Sequence, residues 1–212
     1  MLQVCEIFTS IQGESTCAGL PCTFVRLAGC NLDCTYCDTA YAREEGRCTA
    51  LEDIVRNVRS RTPELVEITG GEPLLQSDTP SLCAGLLDVG YRVLVETNGT
   101  QDISKLPAGC IRIMDIKCPG SGMAGRHDPA NIDRLRPADE CKFVIGDRMD
   151  FDWAVEFVAS HGLRDRCTVL FAPVFDSPAP RILAEWILRA GIPVRLTLQL
   201  HKYIWSPHMR GV

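Results

Sequence analysis

Three thiols stand within eight residues, in Cys30-Asn-Leu-Asp-Cys34-Thr-Tyr-Cys37. Cysteine thiolates are the usual protein ligands of a [4Fe–4S] cluster, and this spacing suits one loop folded around one metal centre. No fourth cysteine lies at matching spacing. A cubane held by three thiolates leaves one iron with an open position. Open positions do chemistry, whereas closed ones hold structure together. Other readings remain on spacing alone. The three could be part of a zinc set completed by a later Cys or His, part of a disulfide framework, or small buried side chains.

More residues of chemical interest follow short apolar runs. Gly70-Gly71-Glu72-Pro73 closes the run Leu65–Thr69. Two glycines make either a tight turn or a backbone edge that a ligand can approach, such as an amino acid's ammonium group. It is not a phosphate loop, because the G-x-x-x-x-G-K-[ST] pattern is absent. Glu96 ends another apolar run and could accept bonds from ribose hydroxyls or pair with a lysine. Arg26 directly precedes the cysteine loop and reads either as an edge-strand arginine or as a fork that grips a substrate carboxylate. Thr39 offers a hydroxyl suited to a hard cation such as Mg²⁺. Gln12-Gly13-Glu14 reads as a surface turn or a polar lip over a site. His201 reads as structural or as a proton donor or acceptor near neutral pH.

The elements that must position these groups alternate. Strands are expected at Thr23–Leu27, Leu65–Thr69, Arg92–Glu96, Ile111–Ile116, Cys141–Ile145, Cys167–Phe171 and Val194–Leu198. Helices are expected from a capping box at Thr49-Ala-Leu-Glu52 through Ser60, and over Ser81–Val89, Phe151–Ser160 and Pro180–Ala190. Strand–helix alternation implies parallel strands with right-handed crossovers. At 212 residues the chain is shorter than a full eightfold barrel of about 250 residues. The expectation is one α/β domain over 1–212, an incomplete TIM-like barrel of about six parallel strands. In such folds ligands bind at the carboxyl ends of the strands. Those ends carry the cysteine loop, Thr69-Gly-Gly-Glu72, Glu96-Thr-Asn-Gly99, Asp115 with Lys117, and His201-Lys202.

Composition bounds the partners. A net charge of −5 provides no basic field for nucleic acid. No apolar stretch approaches the roughly 18 residues of a membrane span, and the first residues lack the pattern of a signal peptide. The expected setting is cytoplasmic, with reduced thiols. The other nine cysteines (Cys5, Cys17, Cys22, Cys48, Cys83, Cys110, Cys118, Cys141 and Cys167) read as small buried hydrophobes.

The triad resembles the signature of the radical S-adenosylmethionine superfamily, and Gly70-Gly71-Glu72-Pro73 resembles its glycine-rich methionine-binding motif. More narrowly, the chain resembles the 7-carboxy-7-deazaguanine synthase family of the queuosine pathway. The stretches that carry this are Glu6-Ile-Phe-Thr-Ser-Ile-Gln-Gly-Glu14, Phe24-Val-Arg-Leu-Ala-Gly-Cys-Asn-Leu32, Cys37-Asp-Thr39, Ile68-Thr-Gly-Gly-Glu-Pro-Leu-Leu-Gln76, Glu96-Thr-Asn-Gly99, Asp115-Ile-Lys-Cys-Pro119 and Gln199-Leu-His-Lys202. The resemblance implies a radical lyase acting on 6-carboxy-5,6,7,8-tetrahydropterin. A 5′-deoxyadenosyl radical would take hydrogen from C6, the ring would contract, and ammonia would leave. Cys30, Cys34 and Cys37 match the cluster ligands. Tyr36, Asp38, Gly71, Glu72, Glu96, Asp115, Ile116 and Lys117 match positions lining S-adenosylmethionine. Thr39 matches the Mg²⁺ ligand. Ile11, Gln12, Gly13, Glu14, Arg26, Thr69 and His201 match the substrate pocket, and the family's terminal carboxylate nominates Val212. The family also implies a homodimer and an electron donor such as flavodoxin or ferredoxin.

Two departures stand out. Ala172-Pro173 replaces a frequent Gln-Pro, so the cofactor contact expected at Ala172 would be made by backbone or by another residue. The tail after Lys202 is long, and its Tyr203, Ile204 and Trp205 could instead serve a dimer contact. Two rival readings share part of the pattern. One is a small activase that makes a glycyl radical on a partner protein. The other is a non-catalytic zinc or redox module.

Overall fold

The computed structural model describes residues 1–212. β1 (Leu2–Ile11) turns back into β2 (Pro21–Leu27), and the short β3 (Arg47–Thr49) leads to α1 (Leu51–Arg59). β4 (Leu65–Gly70), α2 (Thr79–Asp88), β5 (Arg92–Thr97) and β6 (Ile111–Ile116) follow. α3 (Ala130–Arg134), β7 (Glu140–Ile145), α4 (Arg148–Ser160), β8 (Thr168–Pro173), α5 (Pro180–Ala190), β9 (Arg195–Leu196) and α6 (Leu200–Ile204) complete the chain. All nine strands form one sheet in the order β3-β1-β2-β4-β5-β6-β7-β8-β9. From β2 to β9 every neighbouring pair is parallel, whereas β1 runs antiparallel to β2 and β3. The open barrel expected from the alternation is present, with an antiparallel hairpin added at one side.

The parallel strands are buried on both faces, as strands covered by crossover helices must be. Outward residues Val66, Ile68, Val93 and Val95 pack on Ile54, Val58, Leu82 and Leu86 of α1 and α2. Met114, Phe143, Ile145, Val169 and Phe171 pack on Phe151, Ala154, Val158 and Leu183 of α4 and α5. Inward residues change character with height. At the base, Leu65, Leu94 and Ile113 close on Cys17 and Cys22. Above them the inward positions include Glu67, Thr69, Glu96, Asp115 and Lys142, of which Asp115 and Lys142 are register partners. The period of two therefore delivers a polar set to the upper interior without disturbing the outer core.

Several expectations change. The expected strands begin at Thr23, yet the β-branched and aromatic residues of β1 pair with β2 from Val4↔Leu27 to Ile11↔Pro21. The capping box at Thr49 does not form. Thr49 belongs to β3, its hydroxyl donates to the Arg47 carbonyl at 3.1 Å, and Ala50 occupies the cap position without a side-chain bond. The last strand is only Arg195–Leu196, because Leu198 and Gln199 turn into α6. Among the scattered cysteines, Cys48 is exposed and Cys5 half-buried, while the other seven are buried.

Candidate active site

The cysteine loop is fastened to the carboxyl ends of four neighbouring strands. Gly29 adopts φ of +91°, a left-handed turn that favours glycine and aims the chain outward just before Cys30. The Gly71 N–H donates to the Leu27 carbonyl at 3.2 Å, and the Glu72 N–H to the Gly29 carbonyl at 2.8 Å. Asn98 donates from Nδ2 to Asn31 Oδ1 at 3.2 Å and to Cys30 Sγ at 3.9 Å. Thr35 Oγ1 donates to the Gly120 carbonyl at 2.8 Å, and the Tyr36 hydroxyl to the Val144 carbonyl at 3.3 Å. Asp38 accepts from Lys202 Nζ at 2.6 Å, which ties the end of the loop to α6.

The glycine pair has a packing role as well as a ligand-facing one. A Cβ on Gly71 would lie 2.2 Å from the Gly29 carbonyl oxygen and 2.7 Å from the Cys30 Cβ. One on Gly70 would lie 2.2 Å from the Leu27 carbonyl oxygen. The missing side chains let the cysteine loop rest on the end of β4, and Gly71 still borders the cavity.

That cavity, ≈ 690 Å³, opens above the strand ends. Cys30, Cys34 and Cys37 border it together with Tyr36, Asp38, Thr39, Gly71, Glu96, Asp115 and Lys117. The same cavity is lined by Ile11, Gln12, Gly13, Glu14, Arg26, Thr69, His201 and Val212. Residues from both ends of the chain thus meet on one space. Three residues expected at the cofactor do not line the cavity. The Ile116 side chain faces outward into the helix-covered core. Ala172 is buried on β8, and Val174 and Phe175 form the wall there instead. Glu72 is fully buried and accepts from the Asn98 N–H at 2.6 Å, Thr97 Oγ1 at 2.8 Å and the Leu74 N–H at 2.9 Å. It buttresses the strand ends rather than facing the cavity.

Beneath the opening lies a charged floor. Lys142, 4% exposed, bonds Glu14 Oε2 at 2.8 Å and Glu96 Oε1, and stands 3.7 Å from Asp115 Oδ2. Burial opposes ionisation of Glu14, yet Lys142 and His201 outweigh it and hold the carboxyl at about 2. Burial pushes His201 below the ordinary imidazole range, so it is neutral at pH 7. Lys117 Nζ bonds Asp115 Oδ2 at 2.8 Å, while Asp115 Oδ1 is buried without a partner. Arg26 Nε donates to Glu6 Oε1 at 2.8 Å, and the Tyr41 hydroxyl donates to the same oxygen at 2.8 Å.

Lys142 and Glu67 were missed from sequence. Each sits in a strand otherwise read as an apolar run, at an inward position. That parity was the available signal. Glu67 accepts from Gln12 Nε2 at 3.0 Å and is 2% exposed. Burial and then Glu96 push its carboxyl up to about 8. With its folded value raised, the native state binds the extra proton between the ordinary value, about 4.3, and about 8. Stability therefore falls as pH rises through that window. Glu67→Gln cannot ionise, and its amide oxygen can still accept from Gln12. We expect urea unfolding to show parent and variant alike near about pH 4 and the variant at least ~1 kcal/mol more stable near about pH 9. Parallel stability curves would contradict this.

The donor set fits an open cluster. No three His, Cys, Asp or Glu side chains converge at single-ion distances. Cluster thiolates bind separate irons and need no common point. The partnerless Asp115 oxygen offers an acceptor to a ligand in the same cavity.

Comparison with known proteins places this geometry. Residues 25–113 match the model of the Radical SAM superfamily. The chain is 46% identical to the 7-carboxy-7-deazaguanine synthase of Chlorobaculum tepidum, covering 100% of this chain and 97% of that protein. It is 43% identical to the enzyme of the same name from Koribacter versatilis, covering 100% of both. The fold matches the crystal structure of QueE from Escherichia coli with a TM-score of 0.79, at 23% identity over 93% of each chain. Full-length likeness at these identities joins a three-thiol loop seated on a glycine pair to an open barrel of parallel strands, and the chain belongs to the 7-carboxy-7-deazaguanine synthase family, within the radical S-adenosylmethionine superfamily.

Proposed function

We propose that this chain converts 6-carboxy-5,6,7,8-tetrahydropterin to 7-carboxy-7-deazaguanine with loss of ammonia, working as one domain over residues 1–212. The observation that carries this reading is the shared cavity. The three thiols and Gly71 border one part of it, and Gln12–Glu14, Arg26, Thr69 and His201 border another. The names of the full-length relatives agree with it.

Cys30, Cys34 and Cys37 would hold the cluster, and Gly71, Glu96, Asp115 and Lys117 would border S-adenosylmethionine. When bound, these groups supply a one-electron reagent able to remove hydrogen from an unactivated carbon. The chain's own residues bind and orient. Arg26 keeps its Nη atoms for a substrate carboxylate while Glu6 fixes its Nε. Gln12 Oε1 accepts from the N–H groups of Glu14 and Ser15, which shapes the turn against the substrate space. His201, neutral at pH 7, can donate or accept one hydrogen bond there. Pro207–Val212 border the same cavity and limit water entry. Arg210 anchors that tail by stacking 3.5 Å over the Tyr41 ring and pairing with Glu45.

Mg²⁺ belongs to this proposal. The Thr39 hydroxyl borders the cavity two residues beyond Cys37 and stands 3.9 Å from its sulfur. We expect Thr39→Ala to keep a full complement of iron but to need at least ~10-fold more Mg²⁺ for half-maximal rate, a loss in the range that metal-supporting groups produce. An unchanged Mg²⁺ response would remove Thr39 from the metal site. An electron donor such as flavodoxin or ferredoxin, a homodimer and a reducing cytoplasmic setting complete the proposal. Twelve free thiols suit that setting, and no helix is long and apolar enough to cross a membrane.

The anaerobically reconstituted protein tests the reading against its rivals. With reductant, S-adenosylmethionine and Mg²⁺ it should consume the carboxytetrahydropterin. A cluster that cleaves S-adenosylmethionine and ignores the pterin would favour the activase. A colourless protein that binds zinc alone would favour the non-catalytic module.

A further inference from the structure

One buried ammonium joins elements that belong to different parts of the cavity. Lys142 lies mid-strand on β7, where its register partners are Asp115 and Leu170. Its Nζ meets Glu14 from the turn after β1, Glu96 at the end of β5 and Asp115 on β6. The contacts extend outward on both sides. Glu14 Oε1 accepts from Gln199 Nε2 at 3.0 Å, and that amide also reaches Asp38 Oδ2 at 3.2 Å in the cysteine loop. Glu96 Oε2 accepts from Thr69 Oγ1 at 3.3 Å. Glu14 is also fixed through its backbone, since its carbonyl accepts from Thr197 Oγ1 at 2.8 Å. A lysine has three donors in a compact head. Here those donors span the space assigned to the pterin and the space assigned to S-adenosylmethionine.

We propose that Lys142 is a positioning residue that couples the two ligand sites, its ammonium holding Glu14 for the substrate and Glu96 for the cofactor in one arrangement. This rests on the reaction proposed above. A ligand that bonds Glu14 changes what the Lys142 ammonium can offer Glu96, so each site feels the occupancy of the other, and the linkage is reciprocal. A lysine that only neutralised its neighbours would weaken both ligands without linking them.

The test uses anaerobically reconstituted enzyme without reductant, so that no turnover occurs. S-adenosylmethionine affinity is measured by equilibrium dialysis with and without saturating 6-carboxytetrahydropterin. In the parent we expect the pterin to tighten S-adenosylmethionine by about 5-fold or more, within the usual range of site coupling. In Lys142→Met that ratio should fall to within about 2-fold of one, and Lys142→Arg should restore part of it. A parent ratio of one, or a Lys142→Met ratio equal to the parent's, overturns the proposal. If Lys142→Met fails to bind iron, Glu14→Gln serves instead. It keeps the shape and removes the charge that faces Lys142, so the ratio should again fall, and an unchanged ratio overturns the proposal. Pterin binding is read in the same dialysis. A parent that binds both ligands with a ratio of one overturns the coupling alone, and a parent that binds S-adenosylmethionine but no pterin overturns the reaction reading and the coupling with it.

Discussion

We expect Cys34→Ala to fold, to bind no stable cluster, and to release ammonia no faster than the reaction without enzyme. Two remaining thiolates leave a cubane with two open corners, too few protein bonds to retain it. Iron per chain should fall from about four to near zero, together with the visible absorbance of the reconstituted protein. The fold should survive, because the loop is anchored by neighbours of Cys34 rather than by its sulfur. Thr35 and Tyr36 keep their bonds to Gly120 and Val144. The urea midpoint should move by less than the equivalent of about 1 kcal/mol. Cys118→Ala is the contrast. Cys118 is fully buried in the core beneath α4, so its loss should cost about 1 kcal/mol of stability and leave iron content unchanged. Full iron in Cys34→Ala would remove the triad from the cluster.

Gly71→Ala should fail differently. The new methyl would meet the Gly29 carbonyl oxygen at 2.2 Å and the Cys30 Cβ at 2.7 Å. The first obstacle is backbone, so no rotamer change relieves it. Relief means lifting the cysteine loop off β4, which breaks the Glu72 N–H bond to Gly29. We expect a stability loss of about 3 kcal/mol, at the upper end of overpacking costs, and a reconstituted cluster at well under half the parent's iron. If the glycines served only as an open edge for a ligand, the variant would be as stable as the parent and weak only toward S-adenosylmethionine. Chemical denaturation of the apoprotein separates the two outcomes.

Much of this was legible because the strands speak with the same pattern. Runs such as Leu65–Thr69 and Ile111–Ile116 are rich in β-branched side chains and carry polar residues at or next to their ends, and the strand ends bring Thr69, Asp115 and Lys117 to one cavity. The antiparallel β1 was harder to read. Its polar and apolar residues sit on a hairpin half exposed to solvent, and the pairing with β2 that stabilises it lies outside the local pattern. The capping box at Thr49 failed for a related reason: sheet pairing with Leu2 claimed the threonine. Glu72 has the right residue type in the right motif, yet three nearby donors turn its carboxylate inward. Lys142 was hidden in a strand pattern that reads as apolar. Only the register with β6, and a turn more than a hundred residues upstream, shows why an ammonium belongs there.

The central claim is that one cavity carries both the cluster and the pterin chemistry. It is tested most directly by product analysis of the anaerobically reconstituted enzyme with reductant, S-adenosylmethionine, Mg²⁺ and 6-carboxy-5,6,7,8-tetrahydropterin. The account predicts 7-carboxy-7-deazaguanine and ammonia in equal amounts, rising together with time. An enzyme with its cluster intact that cleaves S-adenosylmethionine but yields neither product would contradict it.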